Sequence, residues 1–212
     1  LDKEIRRKYI VGAGDLSREI FTSFFLNESP NSLAFIDDKF RKGDSFLGHK
    51  VAGGMQDLAS YNGNFYFGLS SPSFKQELHQ TVESNPLISW PSIIHPSSQI
   101  LGASSISISD GVIISPGTIM TCDIEIGFGV FFNLSCTVGH NAKIGAYSSI
   151  MPSVNISGGV EIGERVYVGS GATILPRIKV GNDVVIGAGA LVNKDVPSGV
   201  TVVGVPARIL RK

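Results

Sequence analysis

One stretch constrains this chain more than any other: from Ile100 to Val196 it repeats with a period of six residues. In each hexad the third position is large and apolar, running Ile108, Ile114, Met120, Ile126, Phe132, Val138, Ile144, Ile150, Ile156, Ile162, Val168, Ile174, Val180, Ile186 and Val192 without a slip in register. The first position is aliphatic or small, as at Val112, Thr118, Ile124, Val130, Cys136, Ala142, Ser148 and Val154. Glycine often follows the third position, as at Gly127, Gly145, Gly163, Gly169, Gly181 and Gly187. A strict period of this kind is the signature of a solenoid.

Inward side chains two residues apart fit a short strand with alternating faces. A glycine just after them predicts a corner at which the backbone takes a conformation that side chains oppose. Three strands and three corners make a triangular coil, and stacked coils bury one aliphatic column. Each coil adds about 4.8 Å of height, the spacing of neighbouring strands. A helix needs a period near 3.6, and an ordinary sandwich has no reason to keep one period for so long.

The first part of the chain follows a different pattern. Lys8-Tyr9-Ile10-Val11 reads as a strand, followed by the turn Gly12-Ala13-Gly14-Asp15-Leu16-Ser17 and by apolar residues at helical spacing, Ile20, Phe21, Phe24 and Phe25. Leu33-Ala34-Phe35-Ile36 reads as a second strand ending in Asp37-Asp38, and Phe65-Tyr66-Phe67-Gly68 as a third. This is a Rossmann-like βαβ start. A glycine turn feeding a helix suits an anion, and an acidic residue about twenty positions on suits a ribose. Ser17 stands where the dinucleotide fingerprint has its third glycine, so a tight turn that binds nothing fits these residues as well. Residues 40–60 read as an irregular connection carrying Val51 and Leu58 inward, and residues 73–82 as a second helix. Pro86, Pro91 and Pro96 mark the crossing into the solenoid, giving an α/β domain over 1–90 and a solenoid domain over 91–212. Val202 to Arg208 reads as a capping strand with a basic tail.

Composition removes several classes of function. Eighteen basic residues balance eighteen acidic ones, so no electrostatic footprint for nucleic acid or an anionic membrane is expected. No apolar run is long enough to span a bilayer, and the charged start Leu1-Asp2-Lys3-Glu4 has no secretory core, so a cytoplasmic protein is expected. Two cysteines, Cys122 and Cys136, make no disulfide framework. Of the four histidines only His140 lies deep in the repeat, at an outward fifth position. A zinc centre needs three or four convergent ligands, and no second histidine stands at neighbouring coil spacing, so no metal is expected.

These features together resemble a known family. The Gly12-Ala13-Gly14 loop, Phe35-Ile36-Asp37-Asp38, Ile94-His95-Pro96, the spacing from Asn133 to His140, and the end from Ile186 to Ala207 resemble hexapeptide-repeat acyltransferases of the sialic-acid O-acetyltransferase group. That group includes N-acetyltransferases acting on nucleotide-linked 4-amino-6-deoxy sugars for bacterial surface glycans such as O-antigen. The resemblance implies a left-handed parallel β-helix, a homotrimer, and acetyl-CoA lying in the groove between neighbouring solenoids. It implies that His140 is the general base of a direct transfer, with Asn141 beside it and Asn133 nearby. It places Ser149, Gly158, Ser170 and Ala188 on acetyl-CoA, and Gly14, Asp15, Leu16, Asp37, Asp38 and Gly68 around the nucleotide-linked amino sugar.

Asn141 departs from relatives that carry an acid directly after the base. An amide oxygen can hold the imidazole tautomer but brings no charge to stabilise imidazolium. Two further functions fit the residues: O-acetylation of a sugar such as sialic acid, and a non-catalytic sugar-nucleotide-binding solenoid. The Asp37-Asp38 pair accepts donors from a ribose or a base and does not separate uracil, thymine and guanine.

Overall fold

Eighteen residues make one turn of the solenoid. In the computed structural model, which describes residues 6–210, Ile113–Ile114 pairs in parallel with Phe131–Phe132, and that strand with Ser149–Ile150. Tyr167–Val168 and Val185–Ile186 continue this first face. The second face runs from Gln99–Ile100 to Leu191–Val192 and the third from Ser107–Ile108 to Lys179–Val180, all parallel. The protein therefore has the parallel, β-helical architecture of the hexapeptide-repeat fold. The charged start Leu1 to Glu4 and the last two residues lie outside the described residues.

The third position of every hexad from Ile114 to Val192 is buried, and so is the first position from Val112 to Ala190. Polar residues on this inward column are satisfied locally. Thr118 Oγ1 donates to the Asn133 carbonyl at 3.2 Å, and Ser148 Oγ donates to the Gly163 carbonyl at 3.0 Å. A buried hydroxyl left without such a partner would cost about 1–3 kcal/mol.

The corner glycines serve a different purpose from the one expected. The left-handed backbone sits at the sixth position, not the fourth: Gly111, Gly117, Gly129, Gly159, Gly171 and Gly189 have positive φ, and so do Asp123, Ser135, Asn141, Tyr147, Ser153, Arg165, Arg177 and Asp183. A non-glycine residue in this region costs about 1–2 kcal/mol. The sixth-position N–H offsets part of that by donating to the coil before, as Tyr147 does to the Phe128 carbonyl at 2.7 Å. Fourth-position glycines are needed for space instead. A Cβ on Gly145 would lie 2.4 Å from the Gly163 carbonyl carbon, and one on Gly169 would lie 2.5 Å from the Ala188 nitrogen.

The solenoid also begins earlier than the six-residue frame shows. Ile93–Ile94 pairs with Ile113–Ile114 and Gln99–Ile100 with Ile119–Met120, twenty residues on rather than eighteen. The short 3₁₀ turn at Ala103–Ser105 carries the insertion that breaks the frame. At the other end Thr201–Val203 extends the first face, and Arg208–Ile209 pairs back on it antiparallel. Val196 and Val202 join the buried column there.

The chain divides into two compact units, the second of which takes in Ser71–Ser73 and everything from Ser92 onward. The first unit holds a sheet of β1 (Lys8–Val11), β2 (Leu33–Ile36), β3 (Ser45–Phe46), β4 (His49–Gly53), β5 (Gly63–Phe67) and β6 (Ile88–Ser89), in the order β3-β4-β2-β1-β5-β6. All neighbours are parallel except β3 and β4. Helix α1 (Asp15–Ile20) follows β1 and widens into a π turn over Phe21–Phe25, which buries both Phe21 and Phe25. Helix α2 is Pro72–Val82. Residues 40–60 are not an irregular connection: they form the β3–β4 hairpin, with β4 parallel to β2, and a 3₁₀ turn at Met55–Ser60. β4 is short and flanked by Gly48 and Gly54, so its residues resemble a glycine-rich connection in the sequence. Among the described residues no helix is long and apolar enough to cross a membrane.

Because Gly145 meets backbone and Gly171 meets nothing within 4 Å, the two predict different costs. Gly145→Ala should lose about 1–3 kcal/mol of stability, a Tm drop of several degrees, by forcing two coils apart. Gly171→Ala should lose about 1 kcal/mol, from left-handed strain alone. Thermal unfolding of both variants checks this; a reversed order refutes the role given to the fourth-position glycines.

Candidate active site

His140 occupies the corner between the second and third faces, just after Thr137–Val138 and just before Lys143–Ile144. Its coil neighbours there are Cys122 and Asp123 on one side, and Gly158 and Gly159 on the other. The ladder bonds fix that stacking: Asn141 N donates to the Cys122 carbonyl at 3.2 Å, and Gly159 N donates to the His140 carbonyl at 2.7 Å. The imidazole projects outward and is exposed.

Two contacts define the orientation of the ring. Asn141, held in the left-handed region at φ 57°, brings its Oδ1 to 2.8 Å from His140 Nδ1. With the amide oxygen as acceptor, Nδ1 carries the proton and Nε2 keeps its lone pair. The ring also lies over Gly158 of the next coil, where a Cβ would come within 2.5 Å of Nε2 and 2.8 Å of Cε1. Gly139 matters in the same way: a Cβ on it would lie 2.6 Å from the Gly158 nitrogen. Gly158 therefore leaves room for the ring, and Gly139 leaves room for the backbone of the coil that carries Gly158.

Neither thiol is poised as a nucleophile. The Asp123 carboxylate, hydrogen-bonded to Cys122, raises that thiol, and burial pushes Cys136 up to about 11. Among the described residues no group of three His, Cys, Asp or Glu side chains is placed to hold a metal ion.

The other solenoid residues lie elsewhere on the triangle. Ser170 and Ala188 stack in consecutive coils on the corner between the first and second faces, both exposed. Asn133 is on that corner too, rather than beside His140 as the resemblance implies. It is buried, and its Oδ1 accepts the Leu134 N–H at 2.7 Å. Ser149 lies on the first face, buried, with a hydroxyl that has no hydrogen-bond partner. Of the solenoid site residues named from the sequence, Gly158 and Asn141 are the two that one chain brings to His140.

In the α/β unit, the ends of β1, β2 and β5 do converge. Gly12 N donates to the Ile36 carbonyl and Gly68 N donates to the Val11 carbonyl, while Ser17 Oγ donates to the Gly68 carbonyl at 2.8 Å. Gly12 has φ +110° and its missing Cβ would lie 2.9 Å from the Gly68 oxygen, so a side chain there is excluded twice over. Asp37 is occupied internally, with Oδ2 accepting the Ala13 N–H at 2.7 Å and Oδ1 the Lys39 N–H at 2.8 Å. It ties the glycine loop to the end of β2. Asp38 is exposed, and its Oδ1 accepts the Met55 N–H at 2.7 Å. Gly14, Asp15 and Leu16 border the loop at the start of α1. Sequence reasoning missed the platform at Gly158, although its signal was present: the residue eighteen positions after the outward histidine is glycine.

Comparison with known proteins gives a consistent result. The bacterial transferase hexapeptide family (six repeats) matches residues 141–176 and 159–194. The GDP-perosamine N-acetyltransferase of Escherichia coli O157:H7 is 31% identical over 218 residues, covering 96% of each chain. The chain belongs to the hexapeptide-repeat transferase family. It is an acyltransferase. Its likeness to solved structures extends along the whole chain as well. A mutant of the perosamine N-acetyltransferase from Caulobacter crescentus, in complex with CoA and GDP-perosamine, has a TM-score of 0.87 at 26% identity and 97% coverage of both chains. The acetyltransferase domain of PglB from Neisseria gonorrhoeae, in complex with acetyl coenzyme A, has a TM-score of 0.85 at 26% identity, covering 97% of this chain and 99% of that one.

Gly158→Ala tests the platform. The added methyl meets only the end of an exposed side chain, so thermal unfolding should stay within about 0.5 kcal/mol of the parent. The ring must swing away, and ¹⁵N shifts of the His140 imidazole should report loss of the Nδ1–H form as the dominant tautomer. Unchanged shifts would remove the platform from the account.

Proposed function

We propose that the protein is an acetyl-CoA-dependent N-acetyltransferase acting on the amino group of a nucleotide-linked 4-amino-4,6-dideoxy sugar. The observation that carries this is the His140 ring, held by Asn141 over Gly158, in a chain similar over 96% of its length to a GDP-perosamine N-acetyltransferase. The α/β unit takes the sugar nucleotide through Gly14, Asp15, Leu16, Asp37, Asp38 and Gly68. Gly158, Ser149, Ser170 and Ala188 contact acetyl-CoA.

Acetyl-CoA supplies the acetyl group as a thioester. His140 Nε2 accepts a proton from the sugar amine as the nitrogen attacks the thioester carbonyl, a task suited to an imidazole within reach of the reacting atoms. The Gly158 peptide lies beside the ring, and its N–H suits the oxyanion that develops there. The C–S bond then breaks and the CoA sulfur leaves with the proton that His140 carries. Atoms balance as amine plus thioester to amide plus thiol, with no acyl-enzyme. The elevated thiols of Cys122 and Cys136 agree with that direct route.

The division between corners bears on assembly. Asn133, Ser170 and Ala188 stand on one corner and His140 with Gly158 on the next. These two rows form one groove only if the first corner of one solenoid faces the second corner of a neighbour. A closed ring of three left-handed solenoids repeats that contact at each interface.

Thiol release from acetyl-CoA, measured across a panel of UDP-, dTDP- and GDP-linked 4-amino-6-deoxy sugars, tests the reaction directly. Turnover on an amino sugar should fall by roughly 10²–10⁴-fold in His140→Ala. Transfer only to the hydroxyls of sialic acid, included as an alcohol acceptor, would overturn N-acetylation in favour of O-acetylation.

Asn141→Glu tests the neighbour of the base. A carboxylate beside Nδ1 stabilises imidazolium, so the base stays protonated to higher pH. The rising limb of the kcat/KM profile should therefore move to higher pH in this variant. An unmoved limb would show that residue 141 does not act on the base.

A further inference from the structure

We propose that Arg177 is a further catalytic residue, whose guanidinium stabilises the CoA sulfur as it leaves. The assignment rests on the acetyl-transfer role given to His140 and adds a group to that same site. A contrast within the solenoid supplies the starting point. Two arginines occupy left-handed sixth positions, Arg165 at φ 55° and Arg177 at φ 62°. Each has an aspartate eighteen residues on, Asp183 and Asp195. Register therefore offers both the same partner in the next coil.

One of the two pairs forms and the other does not. Arg165 Nε donates to Asp183 Oδ1 at 2.7 Å and Nη2 to Oδ2 at 2.9 Å, while Nη1 donates to Glu164 at 2.8 Å. That arginine clamps two coils together. At the corner of His140, Asp195 Oδ1 instead accepts the Lys179 N–H at 2.8 Å, and Pro176 precedes Arg177 where Glu164 precedes Arg165. Among the described residues the exposed Arg177 guanidinium has no hydrogen-bond or ion-pair partner.

The Arg177 side chain leans the other way, toward the coil of Gly158. A Cβ on Gly159 would lie 3.3 Å from Arg177 Cγ and 3.9 Å from its Cα, so the stem turns back over that glycine. His140 reaches the same glycine pair from the coil before, with Nε2 2.5 Å from where a Gly158 Cβ would stand. An imidazole and an unpaired guanidinium thus approach Gly158 and Gly159 from opposite sides. With coils about 4.8 Å apart, both stand within reach of one reacting group.

The placement matches the direction given to acetyl-CoA. Ser170 shares its coil with Arg177, on the other side of the strand Thr173–Ile174, and Ala188 stands one coil further on. With the acetyl carbonyl over Gly158, the sulfur falls on the Arg177 side of the carbonyl and the amine on the His140 side. As the amine nitrogen attacks, a C–N bond forms, the C–S bond breaks, and its electron pair goes to sulfur. The proton taken by Nε2 then passes to that sulfur. Until it arrives the sulfur carries negative charge, and a guanidinium stays charged throughout. A fixed cation placed where charge develops lowers the barrier, which tighter binding of the ground state does not do.

Single-turnover acetyl transfer to an amino sugar, with acetyl-CoA affinity read by isothermal titration, tests this on the parent, Arg177→Ala, Arg177→Lys and His140→Ala. Position 177 is exposed and keeps a non-glycine residue in both of its variants, so the local backbone is retained. Arg177→Ala should slow transfer roughly 10²-fold, with acetyl-CoA affinity within about 3-fold of the parent. Arg177→Lys keeps a cation and should recover about 10-fold of that loss. Added guanidinium ion should speed Arg177→Ala and leave His140→Ala unchanged. An unchanged transfer rate in Arg177→Ala, or a loss confined to acetyl-CoA affinity, overturns the assignment and leaves His140 as the base. Equal rates in His140→Ala and the parent, or no transfer to any amino sugar by the parent, overturn the N-acetyltransfer reading and this one with it.

Discussion

The close stacking of one coil on the next is the constraint on which the rest of the solenoid depends. Strands in register bring backbones together at every corner, and at many fourth positions there is no room for a Cβ: Gly127, Gly145, Gly163, Gly169 and Gly181 would each drive one into the backbone of the following coil. That contact makes residue n and residue n+18 neighbours. The buried column follows from it, because inward side chains of successive coils then touch without gaps. The left-handed sixth positions follow as well. Strain at the non-glycine ones persists because each one's N–H bonds to the coil before.

The same register builds the candidate active site. His140 owes its orientation to one neighbour in sequence and one neighbour in register. Asn141 reaches Nδ1 because the left-handed backbone at position six turns its side chain back along the edge. Gly158 accepts the ring because it lacks a side chain where every other constraint would have allowed one. The outcome is an exposed imidazole whose orientation is set by one hydrogen bond and one glycine.

The α/β unit uses its charges differently from what their position in sequence suggests. Two adjacent aspartates look equivalent after β2, but Asp37 is a latch on the glycine loop and Asp38 faces outward. The sheet is also wider than the apolar runs indicate. Strand β4 brings a glycine pair to the same edge as the loop, and with it Gln56.

The sequence by itself determined the repeat, the inward positions, the strands β1, β2 and β5, the second helix and the histidine worth attention. Each of these is local: a period, a run of β-branched residues, or one residue type at one place in a hexad. Where reading failed, the deciding contacts lay far apart along the chain. The two extra residues near Ala103 hid the first coil, because a frame counts positions and a coil is closed by pairing. The fourth-position glycines were assigned to backbone conformation when steric approach from eighteen residues away required them. Within one chain Asn133 and His140 stand on different corners, because a triangular coil puts six residues between corners. Only the tertiary structure decided which side chains share an edge, because hydrogen-bond register, not sequence distance, fixes what stands next to what.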